Sequence, residues 1–309
     1  MKKQWILLIT AFACLAIWTL VARQRNCGSI QKCPINIVSL PERPSRIVSL
    51  APNITEILFA LGLDEKIVAV SSDSDYPPQA ETKMKTGTFW QPNIEAIIES
   101  KPDLIITEQI EQQKSAAETL NKLGYNVLSL KIEKITELLA AIKKIGKATG
   151  CDKQAEQLVK NMNLRLSELK SKFNLVRKTK VLWVVQLEPL RVVGRDTFVN
   201  DLIEIAGGEN AIGDTIQYYP PIGTEELLAC GAEVIIHSAM DGSDISQQQK
   251  TAEKFWAKFT NLPAVKNKQI YVIKADTALR LGPRLPEGIE TIAGLLHPQA
   301  ASKKQQDGN

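Results

Sequence analysis

Residues 151–173 read CDKQAEQLVKNMNLRLSELKSKF. The apolar side chains Ala155, Leu158, Val159, Met162, Leu166, Leu169 and Phe173 recur at steps of three and four with one adjacent pair, so they line one face of a helix from about Asp152 to Phe173. Lys153, Glu156, Lys160, Asn163, Glu168 and Lys170 occupy the other face. Gly150 suits the left-handed end of a preceding helix, and Asp152 suits the cap of this one. About 21 residues at about 1.5 Å each give a rod of about 30 Å. It divides the chain into halves of similar length, and the halves resemble each other.

Upstream, short apolar runs alternate with helical patterns. Strands are expected at 46–50, 66–70, 103–107 and 126–130. Between and after them, helices are expected at TEILFALG, capped by Asn53 or Thr55, at 94–100, capped by Asn93, at 115–123 and at 134–149. Downstream, strands are expected at 181–185, 233–237 and 269–273, with helices at 198–206, 253–259 and 286–296. Strands alternating with helices imply mostly parallel sheets covered on both faces. The fold class expected is α/β: two similar lobes bridged by one long helix, with a ligand cleft between them. The partition is 34–150 for the first lobe, 151–175 for the bridge, 176–298 for the second lobe and 299–309 for a polar, disordered tail.

An internal match sharpens the repeat. Residues 94–106, IEAIIESKPDLII, align without gaps to 224–236, TEELLACGAEVII. Glu95 and Glu225 fall at the same place, in the first turn of each helix. Two readings are open: a partner for the helix dipole, or one exposed acid at the tip of each lobe, a spaced pair suited to two basic residues on a partner.

Composition narrows the function. A 309-residue chain with 44% hydrophobic and 23% charged residues has an ordinary globular core available, and a net charge of +4 is too small and scattered to imply nucleic acid. Lys2 and Lys3 precede an apolar run from Trp5 to Val21, followed by Arg23 and Arg25. Residues 1–33 are therefore a signal peptide or an N-terminal membrane anchor, which places the remainder in the periplasm or otherwise outside the cytoplasm. Cys14 sits inside the run without the surroundings of a lipid-attachment site. Cys27 and Cys33 could form a small loop disulfide, and Cys151 and Cys230 read as idle thiols. The two histidines, His237 and His297, lie far apart, no clustered His/Cys set exists, and neither GxSxG nor GxGxxG occurs. No catalytic residue, metal or cofactor is expected, and a monomeric binder is a better reading than an enzyme. The cleft between lobes would draw on loop residues: Asp73, Tyr76, Phe89 and Trp90 from the first half, and Tyr218, Tyr219, Asp276, Arg280 and Arg284 from the second. The aromatics offer flat contact area, and the arginines offer forks for carboxylates, amides or phosphates.

At these residues the chain resembles the helical-backbone substrate-binding proteins of ABC importers, the group that takes up cobalamin, ferric siderophores and haem. The likeness runs from about Arg46 to Leu296 and rests on RIVSLAPNITEILFALG, VAVSSDSDYPPQA, WQPNIEAIIESKPDLIIT, GGENAI, YPPIGTEELLA and KADTALRLGPR. It implies two lobes on a single helix, and it implies that Glu95 and Glu225, with Glu226 as the fallback, dock onto arginines of a membrane permease. It is nearest to the cobalamin-binding members, in which Trp90 and Tyr219 would face the corrin and Asp276 and Arg280 would supply polar contacts. Asp73 departs, because an aromatic stands there in those members. Pro92 and a one-residue shortening after Gln91 depart too. The expected function is capture of cobalamin or a related corrinoid and delivery to a permease. The alternatives are a ferric siderophore or haem binder, drawing on Arg280, Arg284, Arg191 and Arg195, and a membrane-anchored ligand sensor.

Overall fold

The computed structural model describes residues 43–239 and 244–299. The apolar run at 5–21, Cys27, Cys33 and residues 300–309 lie outside the described residues. No helix among the described residues is long and apolar enough to cross a membrane.

The first lobe runs β1 (Ile47–Ser49), α1 (Pro52–Ala60), β2 (Ile67–Val70), β3 (Met84–Lys85), α2 (Ile94–Glu99), β4 (Leu104–Glu108), α3 (Glu111–Lys122), β5 (Val127–Leu130) and α4 (Ile135–Thr149). Its five strands are parallel, in the order β3-β2-β1-β4-β5. The bridge is α5 (Asp152–Asn174). The second lobe runs β6 (Thr179–Gln186), β7 (Arg191–Val192), α6 (Phe198–Ile205), β8 (Gly208–Asn210), α7 (Thr224–Ala229), β9 (Val234–Ala239), α8 (Ile245–Trp256), α9 (Pro263–Lys266), β10 (Ile270–Lys274), α10 (Ala275–Leu279) and α11 (Leu285–Leu296). Its order is β10-β9-β6-β7, with β8 also paired to β6. Among the described strands of this sheet, only β7 runs antiparallel.

The repeat is visible in the pairing. In each lobe the first strand (β1 or β6) lies beside the strand that follows the short glutamate-bearing helix (β4 or β9). Alternation along the strands gives each sheet two apolar faces. Ile47, Leu104 and Ile106 of the first sheet, and Val181 and Trp183 of the second, enter one shared core with the apolar stripe of α5, namely Ala155, Val159, Met162, Leu169 and Phe173. Val48 and Ile105 turn to a separate core in the first lobe, and Leu182 and Val184 to one in the second.

Two caps differ from expectation. The residue preceding α5 is Cys151, without a side-chain cap, and Asp152 is the first helical residue, where its charge favours the positive end of the helix. Gly150 does end α4 in the left-handed conformation, with φ 72°. Helix α1 begins at Pro52 rather than at Asn53 or Thr55, because the fixed φ of proline suits the first turn. Asn53 and Thr55 are thereby released for other contacts.

Candidate functional site

The cleft floor is built at the carboxyl ends of β1 and β4, where parallel sheets present ligand groups. Asn53, in the first turn of α1, donates from Nδ2 to Oε1 of Glu108, the last residue of β4. The backbone N–H of Glu108 donates to Gln113 Oε1 at 3.0 Å. Burial pushes the Glu108 carboxyl up to about 7; the Asn53 hydrogen bond opposes this and the charge of Glu133 adds to it.

Above the floor stands a tight loop. Thr88 and Gln91 exchange backbone hydrogen bonds of 3.2 Å each, and Gly87 takes φ 86°, where a Cβ would lie 2.5 Å from the Gln91 carbonyl oxygen. The loop is fixed from two sides. Asp73 accepts the Phe89 N–H at 2.5 Å, and Gln113 Nε2 donates to the Phe89 carbonyl at 2.9 Å. Phe89 and Trp90 meet edge to face, with centroids 4.9 Å apart. Trp90 stays 58% exposed, a large flat side chain held out on a rigid turn.

A cleft of about 360 Å³ separates this surface from the second lobe, within the usual range for small-molecule sites. Asn53, Asp73, Phe89, Trp90 and Glu108 line one wall, and Phe198, Asp276, Leu279 and Arg280 the other. Five of the residues expected from sequence (Asp73, Phe89, Trp90, Asp276 and Arg280) therefore meet in one cavity. Tyr76, Tyr219 and Arg284 lie outside its lining. Asn53, Glu108 and Phe198 belong to it and were not among the expected residues.

The two arginines expected to reach the ligand as free forks are instead committed to protein carboxylates. Arg280 Nη1 pairs with Glu56 Oε1 at 3.0 Å and with Asp75 Oδ1 at 2.9 Å, and Arg280 Nη2 contacts Asp276. Arg284 grips Glu56 with both ends of its guanidinium, at 3.0 and 2.5 Å, and reaches Asp276 Oδ2 at 3.2 Å. Its other face covers the Tyr76 ring at 3.8 Å. Glu56 and Asp75 belong to the first lobe and the arginines to the second, so the network ties the lobes together. The physical reason is the burial of Glu56, whose side chain is 2% exposed: a carboxylate taken out of water must be paired. The backbone helps, since Gly282 packs so closely that a Cβ would lie 3.2 Å from Glu56 Oε2. Arg191 and Arg195 are engaged too, donating to the carbonyls of Tyr219 and Ile212 at 3.1 and 2.9 Å.

Glu95 and Glu225 sit in the first turns of α2 and α7, both exposed. Neither forms an ion pair among the described residues. No group of His, Cys, Asp and Glu suited to a metal ion occurs among the described residues. His237 is buried and accepts the Trp256 Nε1–H at 2.7 Å; burial lowers its pKa to about 4. His297 stacks on Phe173.

Comparison with known proteins now adds to this geometry. The periplasmic binding protein family matches residues 47–277. An uncharacterized ABC transporter substrate-binding lipoprotein of Bacillus subtilis (strain 168) is 30% identical, over 96% of this chain and 98% of its own. The crystal structure of a periplasmic vitamin B12 binding protein of Vibrio cholerae superposes with a TM-score of 0.71 at 27% identity, covering 85% of this chain and 100% of that one. That of a possible iron-binding (periplasmic solute-binding) protein of Staphylococcus epidermidis gives 0.73 at 29% identity, covering 82% and 99%. With two like α/β lobes on one helix, a cleft between them and a family match across both, the chain belongs to the periplasmic binding protein family, as a substrate-binding protein of the kind that serves ABC importers.

Proposed function

We propose that this protein captures cobalamin or a related corrinoid in the cleft between its lobes and delivers it to a membrane permease through Glu95 and Glu225. The observation that carries the choice of ligand is the charge of the cleft. Asp73, Glu108 and Asp276 line it, against one guanidinium, Arg280, that is already held by three carboxylates. Haem propionates or an anionic ferric siderophore would find no free guanidinium among its described lining residues and would meet the carboxylate of Asp73. A corrin ring with amide arms meets acceptors for its N–H groups and aromatic surface from both walls, Trp90 and Phe89 on one and Phe198 on the other. The whole corrinoid is larger than about 360 Å³, so it seats one edge in the cleft and leaves the rest at the mouth. The similarity to vitamin B12 binding proteins supports the same ligand.

Docking rests on the equivalence of α2 and α7: each carries its glutamate exposed in the first turn and leads into the strand beside the lobe's first strand. The ligand passes through unaltered, a reading supported by the similarity to substrate-binding transport proteins.

The test is retention of cyanocobalamin by the purified protein after desalting, read by visible absorbance, together with uptake by cells. One corrinoid per chain is expected, and the Glu95→Lys, Glu225→Lys double variant should keep this binding but lose uptake. A colourless eluate would transfer the cleft to haem or a siderophore. Undiminished uptake by the double variant would remove the docking role.

A further inference from the structure

Glu108 is the largest anomaly in the cleft. Its carboxyl accepts one hydrogen bond, from Asn53 Nδ2 to Oε1, and no cation pairs with it among the described residues. Oε2 makes no hydrogen bond among the described residues, and the side chain lines the cleft. A carboxylate left this way in a largely buried position is costly. The same position in the second lobe, 130 residues on, is Ser238, which simply accepts the Trp183 Nε1–H at 2.9 Å. The acid is thus not demanded by the fold.

We propose that Glu108, oriented by Asn53, is a ligand subsite that takes a primary carboxamide as a neutral carboxylic acid. The proposal rests on the corrinoid reading, because the rim of a corrin carries primary carboxamide arms. A protonated carboxyl presents one O–H donor and one acceptor on adjacent oxygens. A primary carboxamide presents the complementary pair at the same spacing. Asn53 occupies one lone pair of Oε1 and leaves the other for the amide N–H, while the proton on Oε2 is donated to the amide carbonyl. An ionised Glu108 would have no donor and would repel that carbonyl.

The surroundings favour the neutral form. Glu133, before α4, adds negative charge from outside and is itself paired with Lys131 at 3.1 Å. Asp73 and Asp276 line the same cleft, and Arg280 is occupied by Glu56, Asp75 and Asp276. On α3, Glu111 pairs with Lys114 at 3.9 Å. A bound ligand removes further water and deepens the burial that already holds the carboxyl near 7.

The experiment titrates wild type, Glu108→Gln and Glu108→Leu with cyanocobalamin at pH 5.5, 7.0 and 8.5, after a thermal melt of each protein without ligand. Wild-type affinity should fall about tenfold per pH unit above 7, one proton accompanying each ligand. Glu108→Gln keeps a donor and an acceptor and loses the titration, so it should bind within about threefold of wild type at pH 5.5 and stay flat to pH 8.5. Glu108→Leu should lose about 10- to 100-fold at pH 5.5. If Glu108→Leu does not fold, the glutamine variant and the wild-type pH profile carry the test. Binding by wild type that is flat across pH, or a glutamine variant that still weakens above pH 7, overturns the subsite and leaves the corrinoid reading intact. No cyanocobalamin binding by wild type at any pH overturns both.

Discussion

The two lobes share a plan and part company at a few positions. Helix α1 follows β1, α6 follows β6 and the short β7, and both lead to a strand parallel to the first strand of their lobe. Aligned from their caps, Ile57 matches Ile203 and both are fully buried, while Glu56 takes the place of Leu202 and Asn53 that of Val199. Along β4 and β9, Thr107 matches His237 and Glu108 matches Ser238. The first lobe has thus exchanged apolar or neutral groups for polar ones on the side that meets the second. The second lobe answers with Arg280 and Arg284. Departures from the repeat mark the cleft, whereas Glu95 and Glu225 keep it, each an exposed acid in the first turn of its helix.

The largest test of that contrast makes the first lobe copy the second. Glu56→Leu should destabilise the protein by about 3 kcal/mol, because it removes the buried carboxylate that Arg280 and Arg284 share and leaves them only Asp75 and Asp276, and urea melts would show it. A cost under about 1 kcal/mol would mean that the network contributes little.

The next test concerns pH, because the lobes respond oppositely. The Glu108 carboxyl stands at about 7 in the folded protein against an ordinary 4.5. It has no effect below pH 4.5, and stability falls by up to about 3 kcal/mol as pH rises through 7. His237 stands at about 4 against 6.5. Its contribution is complete above pH 6.5 and is lost, again by up to about 3 kcal/mol, as pH falls through 4. Denaturant midpoints from pH 4 to 8 should flatten on the alkaline side in Glu108→Gln and on the acid side in His237→Gln.

The smallest test exchanges caps. Asn93 accepts the Ala96 N–H at 2.9 Å at the start of α2, whereas Gly223 caps α7 with no side chain and open space around its Cβ position. Asn93→Ala should cost about 1 kcal/mol, and Gly223→Asn should gain a few tenths, both measured by thermal melting.

The lobes, their sheets and the bridge are legible in the sequence because alternation, helical periodicity and glycine stops are local signals. The match of 94–106 to 224–236 holds in space, β4 beside β1 and β9 beside β6. Loop aromatics and acids of the cleft, such as Trp90 and Asp73, are marked by nearby proline and glycine. Glu56 escapes such reading for a physical reason. Helix α1 is buried from Asn53 to Leu58, so it has no solvent face for periodicity to reveal, and its partners lie 224 and 228 residues away. Glu108 escapes because the last residue of a buried strand looks like a solvated strand end. The pairing of Arg280 and Arg284 escapes on the same ground: a guanidinium in a loop looks available until its carboxylate arrives from the other half of the chain.

The shared core has a thermodynamic consequence. The stripe Ala155, Val159, Met162, Leu169 and Phe173 belongs simultaneously to the hydrophobic contacts of both sheets. Neither half completes that shared interior without the stripe, so one cooperative transition is expected in a thermal melt despite the separate sheets. A chain severed at Gly150 would leave the first fragment without its closing wall, and the two fragments would be soluble and ordered only as a reassembled pair.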